Sequence, residues 1–231
     1  RGFVDRQHGR GRHVLLWLKA WDPEGVPVEE CVRNAANRPT AVDPTNPAFV
    51  ERLRAGVRRM LSADGYDADG FKIDFTARIP AGPSQHLAGD LWGLELMKAY
   101  LGLIYQAAKE AKPDALVIAH TPHPYLADVL DMVRLNDVNT AHPVPAAMTH
   151  RARIARLACP TALIDTDNWP MPDRAAWRDY VAVQPALGVP ALYFATAIDS
   201  TREPLQPDDY RLIRETWAAY RRSIQEEDRT R

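Results

Sequence analysis

The chain has 231 residues, 46% hydrophobic and 26% charged, enough to bury a full core in one or two domains. Its 29 basic and 30 acidic residues nearly cancel, which gives no reason to expect a nucleic acid or an anionic membrane as partner. No run approaches the roughly 18 consecutive apolar residues of a membrane span. Cys31 and Cys159 match no metal or redox spacing and read as buried free thiols. The opening Arg1-Gly2-Phe3 has neither an initiator methionine nor a signal-peptide pattern. Processing and truncation fit this equally, and the compartment stays open.

Short apolar runs alternate with longer amphipathic ones. Residues 13–18 (HVLLWL) predict a buried strand ending in Lys19, Ala20 and Trp21. Residues 22–45 predict a loop rich in Pro, Asn and Asp, long enough to serve a function. Asn46 suits an N-cap and Pro47 the first helical position. Val50, Leu53, Val57 and Met60 then make an apolar stripe to about residue 63. After a turn at Asp64-Gly65, residues 71–75 predict a strand. Leu94, Met97, Leu101, Ile104 and Ala108 predict a helix that stops before Pro113. A strand is expected over 116–119, ending at His120, then a short helix over 125–130. Residues 132–135 predict a strand closed by Asn136-Asp137, and 147–158 a helix. Residues 161–164 predict a strand leading into Asp165-Thr166-Asp167-Asn168-Trp169. Trp177, Val181 and Leu187 suit a helix, 189–194 a strand, and Tyr210, Ile213, Trp217, Tyr220 and Ile224 a final helix.

These are six strand-then-helix units in series, without internal repeat or low-complexity linker. Strands that alternate with helices imply parallel pairing and right-handed crossovers. Polar residues gather at the C-terminal ends of strand after strand: Lys19 and Trp21, Asp74, His120, Asp137, then Asp165 and Asp167. A (β/α)8 TIM barrel builds its active site at that edge, whereas an open doubly wound sheet uses only its switch point. The expectation is therefore an α/β chain, a single catalytic (β/α)8 barrel domain over 1–231. Six units fall two short of closure, and the length is below the roughly 250 residues typical of the fold. Two strands are accordingly expected to be cut off at the N-terminus or supplied by other sequence.

The run GFKIDF at 70–75 holds the most chemistry. Side chains alternate along a strand, so Lys72 and Asp74 point one way and Phe71, Ile73 and Phe75 the other. An ionisable pair on so apolar a strand is costly unless its charges pair or act on a ligand. Asp74 and Asp137, on alternate strands of a barrel, can face each other across its mouth. A retaining glycosidase needs two carboxyl groups about 5–5.5 Å apart, one as nucleophile and one as acid, then base. Lys72 would keep the nucleophile Asp74 charged. Asp137 would have to hold a proton near neutral pH, helped by burial or by Asp165 or Asp167, and opposed by Arg134 if close. Trp17, Trp21 and Trp169 offer faces for the apolar side of a pyranose, or else pack in the core.

With these residues in view the chain resembles glycoside hydrolase clan D, the α-galactosidases, α-xylosidases and α-glucosidases of families 27, 31 and 36. GFKIDFTARIP at 70–80 is similar to the nucleophile strand of the family 31 α-xylosidases. VRLND at 133–137 is similar to the acid/base strand of the α-galactosidases, and IDTDNW at 164–169 to their next strand-end motif. VDPTNP at 42–47 resembles the segment that opens the helix before the nucleophile strand. The likeness runs from about residue 13 to residue 199 and aligns with barrel strands three to eight.

It implies a retaining α-glycosidase for a terminal α-galactoside, α-xyloside or α-glucoside, with Asp74 as nucleophile and Asp137 as acid/base. It also implies that Lys72 and Arg134 contact the sugar and that Trp17, Lys19 and Trp21 line the subsite wall. His120, Asp165, Asp167 and Trp169, at neighbouring strand ends, complete the candidate substrate-binding set. The α-galactosidases carry one more residue between the arginine and the aspartate. Family 31 places its acid on a Gly-Asp-Asn motif, for which Thr166-Asp167-Asn168 would stand in, so Asp167 is the alternative acid. The expected partner is a carbohydrate, and no cofactor is implied. Two rivals remain: a catalytically inactive sugar-binding homologue, and a metal-dependent barrel hydrolase built on Asp74, His120, Asp137 and Asp165. The chain has no His-x-His pair, and Lys72 would repel a cation.

Overall fold

The computed structural model describes residues 1–230, with side chains through residue 226. The chain folds into two compact units, Arg1–Thr121 with Tyr125–Asp131, and Pro122–Pro124 with the chain from Met132 onward.

In the first unit α1 (Gly2–His8) precedes β1 (Leu15–Lys19), followed by a hairpin of β2 (Cys31–Arg33) and β3 (Pro39–Val42). Then come α2 (Pro47–Leu61), β4 (Gly70–Asp74), α3 (Gly93–Ala111) and β5 (Leu116–Ala119). β1 pairs parallel with β4, and β4 parallel with β5. The register sets Trp17 beside Lys72 and Lys19 beside Asp74, so these four side chains share one face. The opposite face of β4 is core: Phe71 and Ile73 are buried, as are Leu96, Leu101, Ile104 and Ala108 of α3. α2 starts where expected, because Asn46 accepts the Ala48 N–H and Pro47 fills the first helical position. Gly70 takes φ 144°, and a Cβ there would stand 2.0 Å from the Leu116 carbonyl oxygen, so only glycine lets β4 meet β5 at its start.

The loop expected over 22–45 contains the β2–β3 hairpin instead. Its turn uses no glycine. Asn34 Oδ1 accepts the N–H of Ala36 and of Arg38, and Asn37 adopts φ 57°. Asparagine tolerates that conformation and builds the turn with its own side chain.

The second unit holds β6 (Met132–Arg134), α4 (Val144–Ala158), β7 (Leu163–Asp165), α5 (Arg174–Leu187) and α6 (Pro207–Thr230). β6 and β7 are parallel, with Arg134 beside Asp165, while α4 packs on α5 and α5 on α6. The short helix expected over 125–130 is a 3₁₀ turn at Pro124–Leu126. The strand expected over 189–194 reduces to one bridge, Asp165 to Val189. Val189 both donates to Ile164 and accepts from Thr166, but Pro190 has no N–H to continue a ladder. Five of the six expected strands therefore form among the described residues, each followed by helical or looped chain in an α/β pattern. Cys31 and Cys159 are buried free thiols, and burial pushes both up from the ordinary thiol range.

At the entry to β4 one carboxylate ties several elements together. Asp69 Oδ2 accepts the Val14 N–H at 2.7 Å and lies 2.8 Å from His8 Nε2, while Oδ1 stands 3.3 Å from Lys112 Nζ. Burial opposes the charge, but the Val14 N–H, His8 and Lys112 outweigh it and hold the carboxyl at about 2. A depressed carboxyl stabilises the fold fully above its ordinary value of 3.8, and that contribution fades as pH falls towards 2. Asp69→Asn is expected to cost roughly 2 kcal/mol at pH 7 and much less near pH 2.5. Urea melts at the two pH values check this, and an equal cost at both would reject it.

Candidate active site

Two carboxylate centres emerge, one in each unit. The first is at the C-terminal end of β4. Asp74 Oδ1 accepts the Phe75 N–H at 2.9 Å, and Oδ2 accepts the Trp17 indole N–H at 3.2 Å. Both oxygens thus face N–H donors, which suits an ionised carboxylate. Phe75 adopts φ 59°, uncommon for an aromatic residue, and its ring meets Trp17 edge-on at 6.2 Å. Arg78 caps the Phe75 ring at 4.0 Å.

Thr76 holds this turn in place from three sides. Its N–H donates to His120 Nε2 at 3.0 Å, its carbonyl accepts the Trp21 indole N–H at 2.8 Å, and its hydroxyl pairs with Thr121 at 2.7 Å. With Nε2 accepting, the His120 proton belongs on Nδ1. His120 Nε2 stands 3.6 Å from Asp74 Oδ1, so the imidazole flanks the carboxylate while supporting its turn.

The expected subsite residues separate here. Trp17 is 54% exposed. Lys19 reaches Asp22 at 2.7 Å, and that hydrogen bond holds the Asp22 carboxyl below its usual range. Lys72 lies on the same face of the sheet, next to Trp17. Trp21 is a correction: only 4% exposed, it stacks at 4.6 Å on Tyr100 and supports Thr76 from within, so it presents no face to a sugar.

The second centre surrounds Arg134, the buried last residue of β6. Its Nη2 stands 2.6 Å from Asp137 Oδ1 and 2.6 Å from Asp167 Oδ2. Burial opposes the guanidinium charge, but Asp167 and Asp137 prevail and raise its pKa further. The two acids differ in environment. Asp137 is half exposed, with 50% of its side chain open to solvent, whereas the Asp167 side chain is fully buried. Asp167 adopts φ 54°, and its Oδ1 accepts the N–H groups of Asn168 and Trp169. Asp165 accepts the Asp167 N–H at 2.9 Å, so it braces the loop. Trp169 is partly exposed beside Tyr193, ring centroids 6.0 Å apart, and Tyr193 also faces the Arg134 guanidinium at 5.9 Å. Among the described residues, no group of three or more His, Cys, Asp or Glu is placed to hold a metal ion.

Two neighbours of these centres carry no signal in the sequence: Tyr193 falls in a run that suits a strand, and Phe75 directly follows β4 where alternation would turn it to the core.

No protein-family model matches the chain, and no curated protein matches it in sequence. Solved structures do match. An uncharacterized protein of Listeria monocytogenes EGD-e superposes with a TM-score of 0.65 at 15% identity, over 93% of this chain and 23% of that one. The same protein in complex with α-D-glucose, β-D-glucose, magnesium and calcium gives 0.63 at 16% identity, over 80% and 20%. The cycloalternan-forming enzyme of L. monocytogenes, in complex with a pentasaccharide substrate, gives 0.51 at 13% identity, over 80% and 24%. The chain therefore spans about a fifth to a quarter of the length of these structures. At such identities the likeness is one of fold.

The Arg134 cluster has a direct consequence for stability. Arg134→Met takes the guanidinium away from the fully buried Asp167 carboxylate. Breaking a buried ion pair from one side is expected to cost about 3 kcal/mol or more, read from chemical denaturation. A cost under about 1 kcal/mol would mean that the two backbone N–H groups suffice for Asp167.

Proposed function

We propose that this chain is part of the catalytic (β/α)8 barrel of a clan D-like glycoside hydrolase. The substrate is a terminal α-linked sugar, an α-galactoside or an α-xyloside or α-glucoside, cleaved with retention. The observation that carries the reading is the setting of Asp74: a strand-end carboxylate with an N–H donor on each oxygen and an exposed tryptophan beside it. The sugars bound by the similar solved structures support a carbohydrate as substrate.

In this mechanism Asp74 attacks the anomeric carbon while Asp137 gives its proton to the leaving oxygen. Asp137 then takes a proton from water, which attacks the same carbon and releases Asp74. The chemistry requires the two carboxyl groups to stand about 5–5.5 Å apart around the scissile bond. Exposure supports Asp137 over Asp167 as the acid, because a proton donor must reach the leaving oxygen and Asp167 is sealed in. Trp17 supplies a wall for the apolar face of the sugar, and Lys72 contacts hydroxyl groups from the same sheet face. Lys19 and Trp169 complete the binding surface; the buried Arg134 holds Asp137 in place rather than touching the sugar, His120 supports the Asp74 turn, and Asp165 and Asp167 fix the loop.

A panel of p-nitrophenyl α-galactoside, α-xyloside and α-glucoside tests the activity. Asp74→Ala is expected to lower turnover by roughly a thousandfold or more, on the order of 4 kcal/mol. Azide should restore turnover of that variant by attacking from the vacated side, giving a β-glycosyl azide. Full residual activity in Asp74→Ala would remove it from the nucleophile role. Sugar binding without turnover, unchanged by Asp74→Asn, would favour the inactive homologue.

Asp137→Ala is expected to spare aryl glycosides, whose leaving groups need little protonation, and to lose most activity on methyl glycosides. Equal losses on the two classes would move the acid role to Asp167.

A further inference from the structure

The turn that bears Asp137 leaves the sheet directly after β6, with Asn136 at φ 69°. Its three successive carbonyls converge on one nitrogen. Arg151 Nη1 lies 3.2 Å from the Leu135 oxygen and 3.3 Å from the Asn136 oxygen, and it also donates to the Asp137 carbonyl. Arg151 sits at the middle of α4, and the same nitrogen rests against the Met148 sulfur, one helical turn back. A rigid helix therefore grips the backbone of the turn, while the Asp137 side chain points the other way, to Arg134. Beyond the turn, the Val138 N–H donates to the Trp169 carbonyl at 2.6 Å.

We infer that Arg151 is a positioning residue for the acid–base step, a role that rests on the reading of Asp137 above. A general acid works only if its carboxyl is held to within a fraction of an ångström of the leaving oxygen. Asp137 stands on an irregular turn rather than on a strand, so its placement depends on what fastens the backbone. The two hydrogens of Arg151 Nη1, shared among the three carbonyls, fasten that backbone without touching the carboxyl. Lysine is expected to hold the turn less firmly, because its flexible stem loses more freedom for each hydrogen bond formed.

The test combines amide hydrogen exchange with hydrolysis of two substrates. In Arg151→Ala, exchange over residues 136–139 is expected to rise about tenfold or more, with β7 and α5 unchanged. Turnover of a methyl α-glycoside is expected to fall about a hundredfold further than that of an aryl glycoside, with Arg151→Lys between. Unchanged exchange over 136–139 overturns the clamp, whatever the activity. Raised exchange with equal loss on both substrates overturns the positioning role and leaves a purely structural arginine. A wild-type protein carrying the whole barrel that hydrolyses neither substrate overturns the glycosidase reading itself, and the acid–base role of Arg151 with it. That outcome is distinct from an active wild type whose variant shows no leaving-group dependence. If Arg151→Ala does not fold, Arg151→Gln and Arg151→Lys carry the same comparison.

Discussion

The buried guanidinium of Arg134 sets the terms for the second unit. A charge enclosed in protein costs several kcal/mol unless partners replace its water. Here two carboxylates do so, and they are not equivalent. Asp167 is sealed and held by two backbone N–H groups beside the arginine. Asp137 is half in solvent. Arg134 thus has two counter-ions, one sealed in protein and one open to solvent.

The first unit solves a different problem by sheet register. The parallel pairing of β1 with β4 places Trp17, Lys19, Lys72 and Asp74 on one face without any loop having to find a position. What remains is the turn after Asp74, where Phe75 sits in the left-handed region at a cost of order 1–3 kcal/mol. Thr76 offsets that cost through bonds to His120, Trp21 and Thr121. The turn is therefore fixed before any ligand arrives, as electrostatic preorganisation requires. Asp43 extends the support. Buried at the end of the hairpin, it accepts from Thr45 and from the Ala88 N–H, and so anchors the long loop between β4 and α3.

The parts that can be read from sequence are those governed by local rules. Asn46-Pro47 marks the start of α2, period-two alternation marks β4, and the apolar stripe marks α3. The hairpin of β2 and β3 escapes because its turn is made by asparagine side chains rather than by glycine. The run 189–194 misleads because its β-branched and aromatic residues suit a strand, while Pro190 ends the ladder after one bridge. Trp17 and Trp21 differ only in position along one segment, yet one is open and the other enclosed. Trp21 has turned out of the strand alternation at φ 67°, a reversal that no periodicity encodes. Arg151 is invisible for another reason: three backbone carbonyls are its partners, and carbonyls have no sequence signature.

The two carboxylates are built by unlike means, and this bears on which does what. Asp74 is the last residue of a paired strand, and each of its oxygens faces an N–H donor. Asp137 stands off the end of β6 on a turn, faces solvent, and shares its cation with a second acid. A nucleophile has to be fixed and ionised at the moment of attack, whereas an acid/base has to exchange a proton twice in each turnover. On the proposed mechanism, the donor-flanked Asp74 is the attacking group and the solvent-facing Asp137 the proton carrier.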